Sequence, residues 1–483
     1  MMDMDWDDIA LERFEAQKRE WILLLRASAD GLLKLICPLR GHEIMKIITV
    51  TGGSFNCGIR VRFEDNKPDW FVRFPMAGSS MFRDEKTRNE VAVMQYIEKN
   101  TKIPIPRIVA YGMSHENPSG LGPFIIMEWV DGKKMSEILC GSVSEERGRK
   151  IDPEIDISVL KTLYGRMADI LLELWDHDFE AIGGLHREDM GDSTNWKVKH
   201  RPLTLEMNEL LRCTGISGKS FPKGPFHTTA DYILNLANQQ FDHLSEQRNS
   251  VWNSQDCREK YTCRHLFRAL VPYFLSKHRA DNRGPFKLFG DDLCPGNVLV
   301  NEETLEVTAV IDWEFVYTAP SLFAACPPWW LLLRKPEDWS GTTENFVEEY
   351  TPRLNLFLEA MKERETARGG KNEPGAVLLS SRMQSSMADR SFWFVHAIRK
   401  TLNLDNLYWS NLDVHYYGPR ASIAERVYRS TTMTPMRHDR EAFTRRKMDD
   451  LRQYLLERGE KQIEYDEVED YLKVVSVQSV LAH

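Results

Sequence analysis

No C-x-x-C pair occurs among the eight cysteines, which lie scattered from Cys37 to Cys326, and the thirteen histidines show no ligand spacing. Neither a transition-metal site nor a compact disulfide framework is therefore expected, and reduced thiols in a cytosolic protein are the simpler reading. An excess of positive charge is missing as well: 63 basic residues stand against 72 acidic ones, a net of −9. That balance speaks against a general binder of nucleic acid or of anionic membranes, although a local basic pocket for phosphates stays compatible with it. Long apolar runs are absent. The most apolar stretch, 322–333, is interrupted by Pro327 and Pro328 and is too short to span a bilayer. The opening residues, MMDMDWDD, are acidic where a signal peptide needs a basic start and an apolar centre. There is no internal repeat and no low-complexity tract. The expectation is a soluble cytoplasmic protein, with no nucleic-acid or membrane partner and no obligate protein partner.

The chain has 483 residues, of which 42% are hydrophobic and 10% aromatic. That is enough for two or three domains or one two-lobed enzyme, and too apolar for disorder. Residues 6–36 read as one or two amphipathic helices, with Leu11, Phe14, Trp21, Leu24 and Leu25 at helical spacing. From residue 44 the period changes. Segments 47–50, 58–63 and 70–74 are short β-rich runs, broken by Gly52-Gly53 and by Asp65-Asn66. Residues 84–99 read as a helix that Pro104 and Pro106 terminate, and 108–111 and 124–130 as further strands. Helices are expected at 157–177, 203–212, 226–246, 260–279, 341–363, 383–409 and 439–458, interrupted by one β-rich island at 287–315. Segments 142–156, 190–200 and 365–374 read as surface loops. Segregation of the two patterns implies an α+β architecture, with a small antiparallel β lobe and a large, mainly helical lobe. The division expected is a helical extension 1–40, a β lobe 41–130 and a helical lobe 131–483.

The most informative stretch is F-G-D-D-L-C-P-G-N-V-L-V at 289–300, followed by V-T-A-V-I-D-W-E-F at 307–315. Asp292 and Asn297 lie on a loop that Pro295 and Gly296 keep from becoming helical. An apolar strand follows, then a turn at 301–305, then a second strand that delivers Asp312 at its end. A β-hairpin would bring Asn297 and Asp312 together despite their separation in sequence. Phosphoryl transfer needs such a set: a carboxylate to orient the acceptor hydroxyl and take its proton, and oxygen ligands to hold Mg²⁺ against the phosphates. In kinases these are the catalytic-loop Asp, the loop Asn and a following Asp. Here they become Asp292 as base, with Asn297 and Asp312 as metal ligands. Taken singly, each residue reads equally well as a turn or cap. The combination carries the functional reading.

These motifs resemble the aminoglycoside phosphotransferase and choline kinase-like superfamily, whose loop reads H-G-D-x-x-x-x-N and whose metal Asp often sits in I-D-W-E. Within it the island is similar to that of a large fungal branch, where it continues into a P-P-W-W-L-L-L element. That element stands here at 327–333, followed by Pro336-Glu337-Asp338-Trp339. The resemblance implies a two-lobed protein-kinase-like fold over roughly 40–410, with ATP and Mg²⁺ as cofactors and a small-molecule acceptor. Gly290 departs from the pattern, standing where the superfamily usually has a His that supports the loop. Asp291, where Gly is common, could contribute a second carboxylate, and reads more readily as a solvated one.

The N-terminal lobe fits the same plan. Thr51 to Cys57 reads as a hairpin over phosphates, in which Gly52 and Gly53 let the backbone approach and the amides around Ser54 and Phe55 can donate. Arg73 occupies the strand position where kinases carry a phosphate-binding Lys, and Glu90 on the next helix is its natural partner. Segment 124–132 resembles the hinge that binds adenine, with Glu128 and Val130 supplying carbonyl and amide. Trp313, Glu314, Trp329, Trp330, Trp393 and Trp409 are candidates for the acceptor wall, although tryptophans in such an apolar run are more often core. The expected function is an ATP-dependent phosphotransferase acting on a hydroxyl or amine of a small molecule. The competing reading is a kinase-like protein without turnover. A protein kinase is disfavoured, since H-R-D, D-F-G and A-P-E signatures are missing.

Overall fold

Two helices open the chain, α1 (Asp8–Ala27) and α2 (Ala29–Arg40). Asp7 starts the first by accepting the Ala10 amide at 3.0 Å, and Gly41 stops the second in the left-handed region at φ 75°. The computed structural model describes residues 6–459 apart from 42–44, 142–149, 189–194, 340–342, 370–376 and 431–433.

Strands β1 (Lys46–Gly52), β2 (Asn56–Arg62), β3 (Trp70–Pro75), β4 (Ile108–Gly112) and β5 (Phe124–Glu128) form one sheet in the order β1-β2-β3-β5-β4. Every neighbouring pair is antiparallel, and helix α3 (Arg83–Asn100) is inserted between β3 and β4. Alternation along the strands gives the sheet two apolar faces. Ile59, Val61, Val72, Phe74 and Ile126 pack against Trp21, Leu32 and Ile36 of α1 and α2. Ile125 and Met127 turn the other way, onto Val91 of α3. Burying one such Ile or Val side chain contributes about 1.5–3 kcal/mol, so the N-terminal helices are part of this core rather than an appendage. Helix α1 also reaches the large lobe. Its Trp21 indole donates to Leu121 O at 2.8 Å in the small lobe. Beside its other end, the Asp7 amide donates to Cys213 O at 2.7 Å and the Asp8 amide to the Tyr454 hydroxyl at 2.9 Å.

The large lobe is mainly helical. Its core gathers Leu160, Leu163, Tyr164 and Met167 of the helix Ile157–Trp175 with apolar residues of Ser254–Lys277, Thr343–Ala367 and Ser391–Arg399. Short strands lie among its helices: β6 (Lys133–Lys134), β7 (Gly184–Arg187), β8 (Trp196–His200), β9 (Lys287–Phe289), β10 (Val298–Val300), β11 (Val307–Val310) and β12 (Tyr317–Ala319). They pair as β11-β10-β6, β12-β9 and β7-β8. The α+β, two-lobed expectation holds.

Three local expectations change. The helix expected at 383–409 is three helices, Leu379–Ala388, Ser391–Arg399 and Leu404–Asn411, and Arg390 takes the left-handed region at φ 68° at the first break. The helix expected from 260 begins at Ser254, because the Asn253 side chain caps it by accepting the Asp256 amide at 2.9 Å. The polar segment 190–200 is not all loop, since Trp196–His200 is β8 and pairs with β7. The remainder of that segment up to 194, and residues 142–149 and 370–374 of the loops expected at 142–156 and 365–374, lie outside the described residues, while the helix Thr343–Ala367 runs into the second of those loops. Among the described residues no helix is long and apolar enough to cross a membrane.

Candidate active site

The loop between β9 and β10 is built around its own polar groups. The Asn297 amide donates to Asp292 O at 2.8 Å and to Asp292 Oδ2 at 3.2 Å, which leaves its side-chain oxygen outside that contact. Burial pushes the Asp292 carboxyl above its ordinary value, while the Lys335 ammonium and the Asn297 contact pull it down. Gly290 has a packing reason: a Cβ there would lie 2.7 Å from Val316 Cγ2. Asp291 corrects the expectation of a solvated carboxylate. Its side chain is only 11% exposed and is ion-paired with Arg399, whose guanidinium lies over the Phe289 and Phe323 rings. The Trp329 indole donates to Asp291 O at 3.1 Å.

The β10–β11 hairpin brings the metal-ligand candidates together, as the Ile311 amide donates to Asn297 O at 2.9 Å. Asp312 follows in the left-handed region at φ 63°, and Phe315 sits at 58°. Positive φ on an aromatic residue costs on the order of 1–3 kcal/mol and persists only where packing enforces it. Here the Phe315 ring packs edge-on against Phe55 of the β1–β2 hairpin, with centroids 5.7 Å apart. Arg73 of β3 donates to Asp312 Oδ1 at 3.0 Å and is ion-paired with Glu90 of α3. Asp312, 28% exposed toward the cleft, is pushed up to about 7 by burial and by the neighbouring Glu314 carboxylate.

Glu314 belongs to this cluster rather than to an acceptor wall alone. It accepts the Asn56 amide at 2.8 Å and is ion-paired with Lys86 of α3. Lys86, 1% exposed at its side chain, also donates to Asn56 Oδ1 at 2.7 Å and Ser80 Oγ at 3.3 Å. Burial would raise the Glu314 carboxyl, but Lys86 and Arg73 outweigh it and hold it low. Sequence reasoning missed Lys86, Asn56 and Arg399. The one available signal for Lys86 was its position four residues before Glu90, one helical turn away on the same face.

One cleft collects most of the candidates. Gly52, Gly53, Ser54, Phe55, Arg73, Glu90, Glu128, Val130, Asp292, Asn297 and Asp312 all line it. A Cβ at Gly52 would meet nothing within 4 Å, and one at Gly53 only Asn56 O at 3.5 Å. The room under the hairpin is therefore open for a ligand. Val130 makes no hydrogen bond among the described residues, so both its backbone groups stay available, whereas the Glu128 amide is taken by Arg107 O at 3.0 Å. Of the acceptor-wall candidates, Trp329 and Trp409 line the cleft with Glu314. Trp313, Trp330 and Trp393, each at most 2% exposed, are core. The cleft adds Trp252 and Asp405, which no sequence motif singled out, and Asp338 and Trp339 from the segment 336–339.

Mg²⁺ requires about six oxygen donors and commonly takes only one or two carboxylates, with water and phosphate completing the shell. Asn297 and Asp312 supply hard oxygen donors held side by side, in a cluster whose buried carboxylates Glu90, Asp312 and Glu314 outnumber the cations Arg73 and Lys86. Among the described residues no group of three or more His, Cys, Asp or Glu side chains is arranged to hold a metal alone. These residues thus fit a metal completed by phosphate oxygens.

The phosphotransferase enzyme family (APH) model matches residues 58–210, from β2 to the helix Leu205–Thr214, and stops short of the 289–297 loop. A curated relative from Yarrowia lipolytica, altered inheritance of mitochondria protein 9, mitochondrial, is 24% identical over 344 residues, covering 65% of this chain and 57% of its own. Its namesake from Clavispora lusitaniae is 22% identical over 331 residues, covering 62% and 53%. The chain spans about half the length of the curated relatives it matches. Among solved structures, aminoglycoside phosphotransferase APH(4)-Ia aligns over 79% of this chain and 99% of its own, at 12% identity and a TM-score of 0.39. The relatives' names correct the expectation of a cytoplasmic protein, since both are named mitochondrial. Over residues 58–210 the chain is thus similar to the phosphotransferase enzyme family, and its two-lobed α+β fold agrees with that likeness.

Proposed function

We propose that the chain is an ATP-dependent phosphotransferase that moves the γ-phosphate to a hydroxyl, or an amine, of a small molecule. The observation that carries this reading is the convergence of Asp292, Asn297, Asp312, the Gly52-Gly53 hairpin and the unbonded Val130 backbone on one cleft. In it, Val130 receives the adenine edge and the hairpin amides cover the phosphates. Mg²⁺ held by Asn297 and Asp312 neutralises phosphate charge when bound. Asp292 orients the acceptor hydroxyl and takes its proton, a task that suits a carboxyl raised by burial. Aromatic and acidic side chains at Trp329, Trp409, Asp338 and Asp405 favour a cationic or hydroxyl-bearing acceptor. The relatives' names make the mitochondrion the compartment to examine.

Two measurements test the proposal. Millimolar Mg·ATP should raise the melting temperature by mass action, and ADP release should accompany phosphorylation of at least one member of a panel of amino-alcohols, sugars and aminocyclitols. Asp292→Asn should lower that release by about 10²-fold or more while keeping the nucleotide-induced shift. Binding without turnover on every acceptor, with wild type equal to Asp292→Asn, would support a kinase-like binding protein instead.

A further inference from the structure

We propose that Lys335 supplies the positive charge that faces the transferred phosphoryl group, a role that rests on the phosphotransferase reading above. Five cations bear on the choice. Arg73, Lys134, Lys260, Arg334 and Lys335 all line the cleft. Lys134 is exposed on β6, whose backbone pairs with Leu299 of β10. Arg73 is held between Glu90 and Asp312. Lys260 donates to Ser250 O at 2.8 Å and pairs with Asp256 at 3.1 Å. Arg334 donates to Asp338 O at 3.0 and 2.7 Å and lies over the Trp339 ring. Lys335 is different: its side chain makes no hydrogen bond or ion pair among the described residues, yet it is held by a cation–π contact with Trp329, 5.4 Å from the ring centroid.

That contact fixes where the ammonium lies. Trp329 is hydrogen-bonded to the carbonyl of Asp291, the residue before the proposed base. Lys335 is thus tied through one aromatic ring to the loop that presents Asp292, and its charge is felt there, opposing the effect of burial on the Asp292 carboxyl. The backbone that carries it is pinned as well. Tyr350 donates to Pro328 O at 2.9 Å, Tyr164 donates to Leu331 O at 3.0 Å, and Leu333 turns the chain in the left-handed region at φ 55°. A cation whose ammonium has no hydrogen bond or ion pair among the described residues, held on a fixed support beside a catalytic carboxylate, is preorganised for charge that arrives with the substrate.

In the step itself, the acceptor oxygen forms a bond to the γ-phosphorus. The bond from that phosphorus to the β–γ bridging oxygen breaks, its electron pair leaves with ADP, and the acceptor proton passes to Asp292. Lys335 exchanges no proton. It offsets the negative charge spread over the three phosphoryl oxygens while the group is in transfer.

The experiment compares wild type, Lys335→Met and Lys335→Arg for binding of Mg·ADP and of Mg·ADP with aluminium fluoride, which imitates the phosphoryl group in transfer. Methionine keeps an unbranched stem over Trp329 and removes only the charge. The expected result is Mg·ADP affinity within about twofold of wild type and aluminium-fluoride complex affinity about 10²-fold weaker, with Lys335→Arg recovering most of the loss. Steady-state ADP release should fall in kcat with little change in the KM for ATP. Equal affinity of Lys335→Met and wild type for the aluminium-fluoride complex overturns the role, as does an equal loss toward both complexes, which would mark a ground-state contact. Wild type that binds neither complex, with Asp292→Asn behaving alike, overturns the phosphotransferase reading and the role with it. Failure of Lys335 alone leaves wild-type binding intact.

Discussion

Gly290 stands where the resemblance leads one to expect a histidine, and Val316 shows why none is accommodated. A Cβ at position 290 would approach Val316 Cγ2 to 2.7 Å, so any side chain must displace packed atoms. The loop is held instead by the Asp291–Arg399 pair and the Trp329 indole. Gly290→His should therefore destabilise the protein by about 1–3 kcal/mol in denaturant melts, and adding Val316→Ala should recover part of that loss. A destabilisation untouched by Val316→Ala would mean that the crowding is elsewhere. Asp292 carries a second prediction at this scale. Its carboxyl is raised by burial and lowered by Lys335, and a base works only when deprotonated. ADP release should thus rise with pH along a limb above the ordinary value of 3.8, and Lys335→Met should move that limb upward. Asp292, Asn297 and Asp312 were legible in the sequence because their spacing is local. The Asp291–Arg399 pair was not, since its partners are 108 residues apart and neither has a motif of its own.

Between elements, the Lys86–Glu314–Asn56 cluster joins α3, the β1–β2 hairpin and the segment that follows β11. Both charged side chains are almost fully buried, at 1% and 5% exposure. A pair so placed adds little net stability against apolar replacements, but breaking it strands a buried charge at a cost of about 3–5 kcal/mol. Glu314→Gln alone should be strongly destabilising, whereas Lys86→Met with Glu314→Gln should cost less than the sum of the single changes. A double-mutant cycle that closes additively would show the two residues to be uncoupled. The order of strands and helix in the small lobe was readable from period and turn residues. The cluster was not, because Asn56 and Glu314 are separated by 258 residues. Helix boundaries in the large lobe failed for a related reason. Apolar spacing continued through 383–409, and only the left-handed Arg390 marks the first break.

For the molecule as a whole, buried histidines set an acid limit. His243 is driven down to about 3 by burial, with Arg264, Lys260 and Lys447 acting the same way and Gln247 opposing them. His396 is lowered well below its ordinary value for the same first reason. In the unfolded chain these groups take protons near pH 6.5, whereas folded His243 resists until about 3. Stability is then full above pH 6.5 and falls as the pH drops toward the folded value. At pH 5.5 His243 alone accounts for about 1.4 kcal/mol of loss. Thermal melts at pH 7.5 and 5.5 should differ accordingly, and His243→Gln should narrow the gap. An unchanged gap would assign the acid sensitivity to other groups.

Helix α1 bears on how the two lobes can move. The segment after β5 joins them once, and α1 joins them again through Trp21–Leu121 on one side and Asp7–Cys213 and Asp8–Tyr454 on the other. A single tether would leave the halves free to yaw, roll and pitch. Two tethers define a line, and a swing about that line must part the cleft-side bridges Arg73–Asp312 and Lys86–Glu314. Nucleotide would then enter and leave along a path whose direction the first turns of the chain help to set.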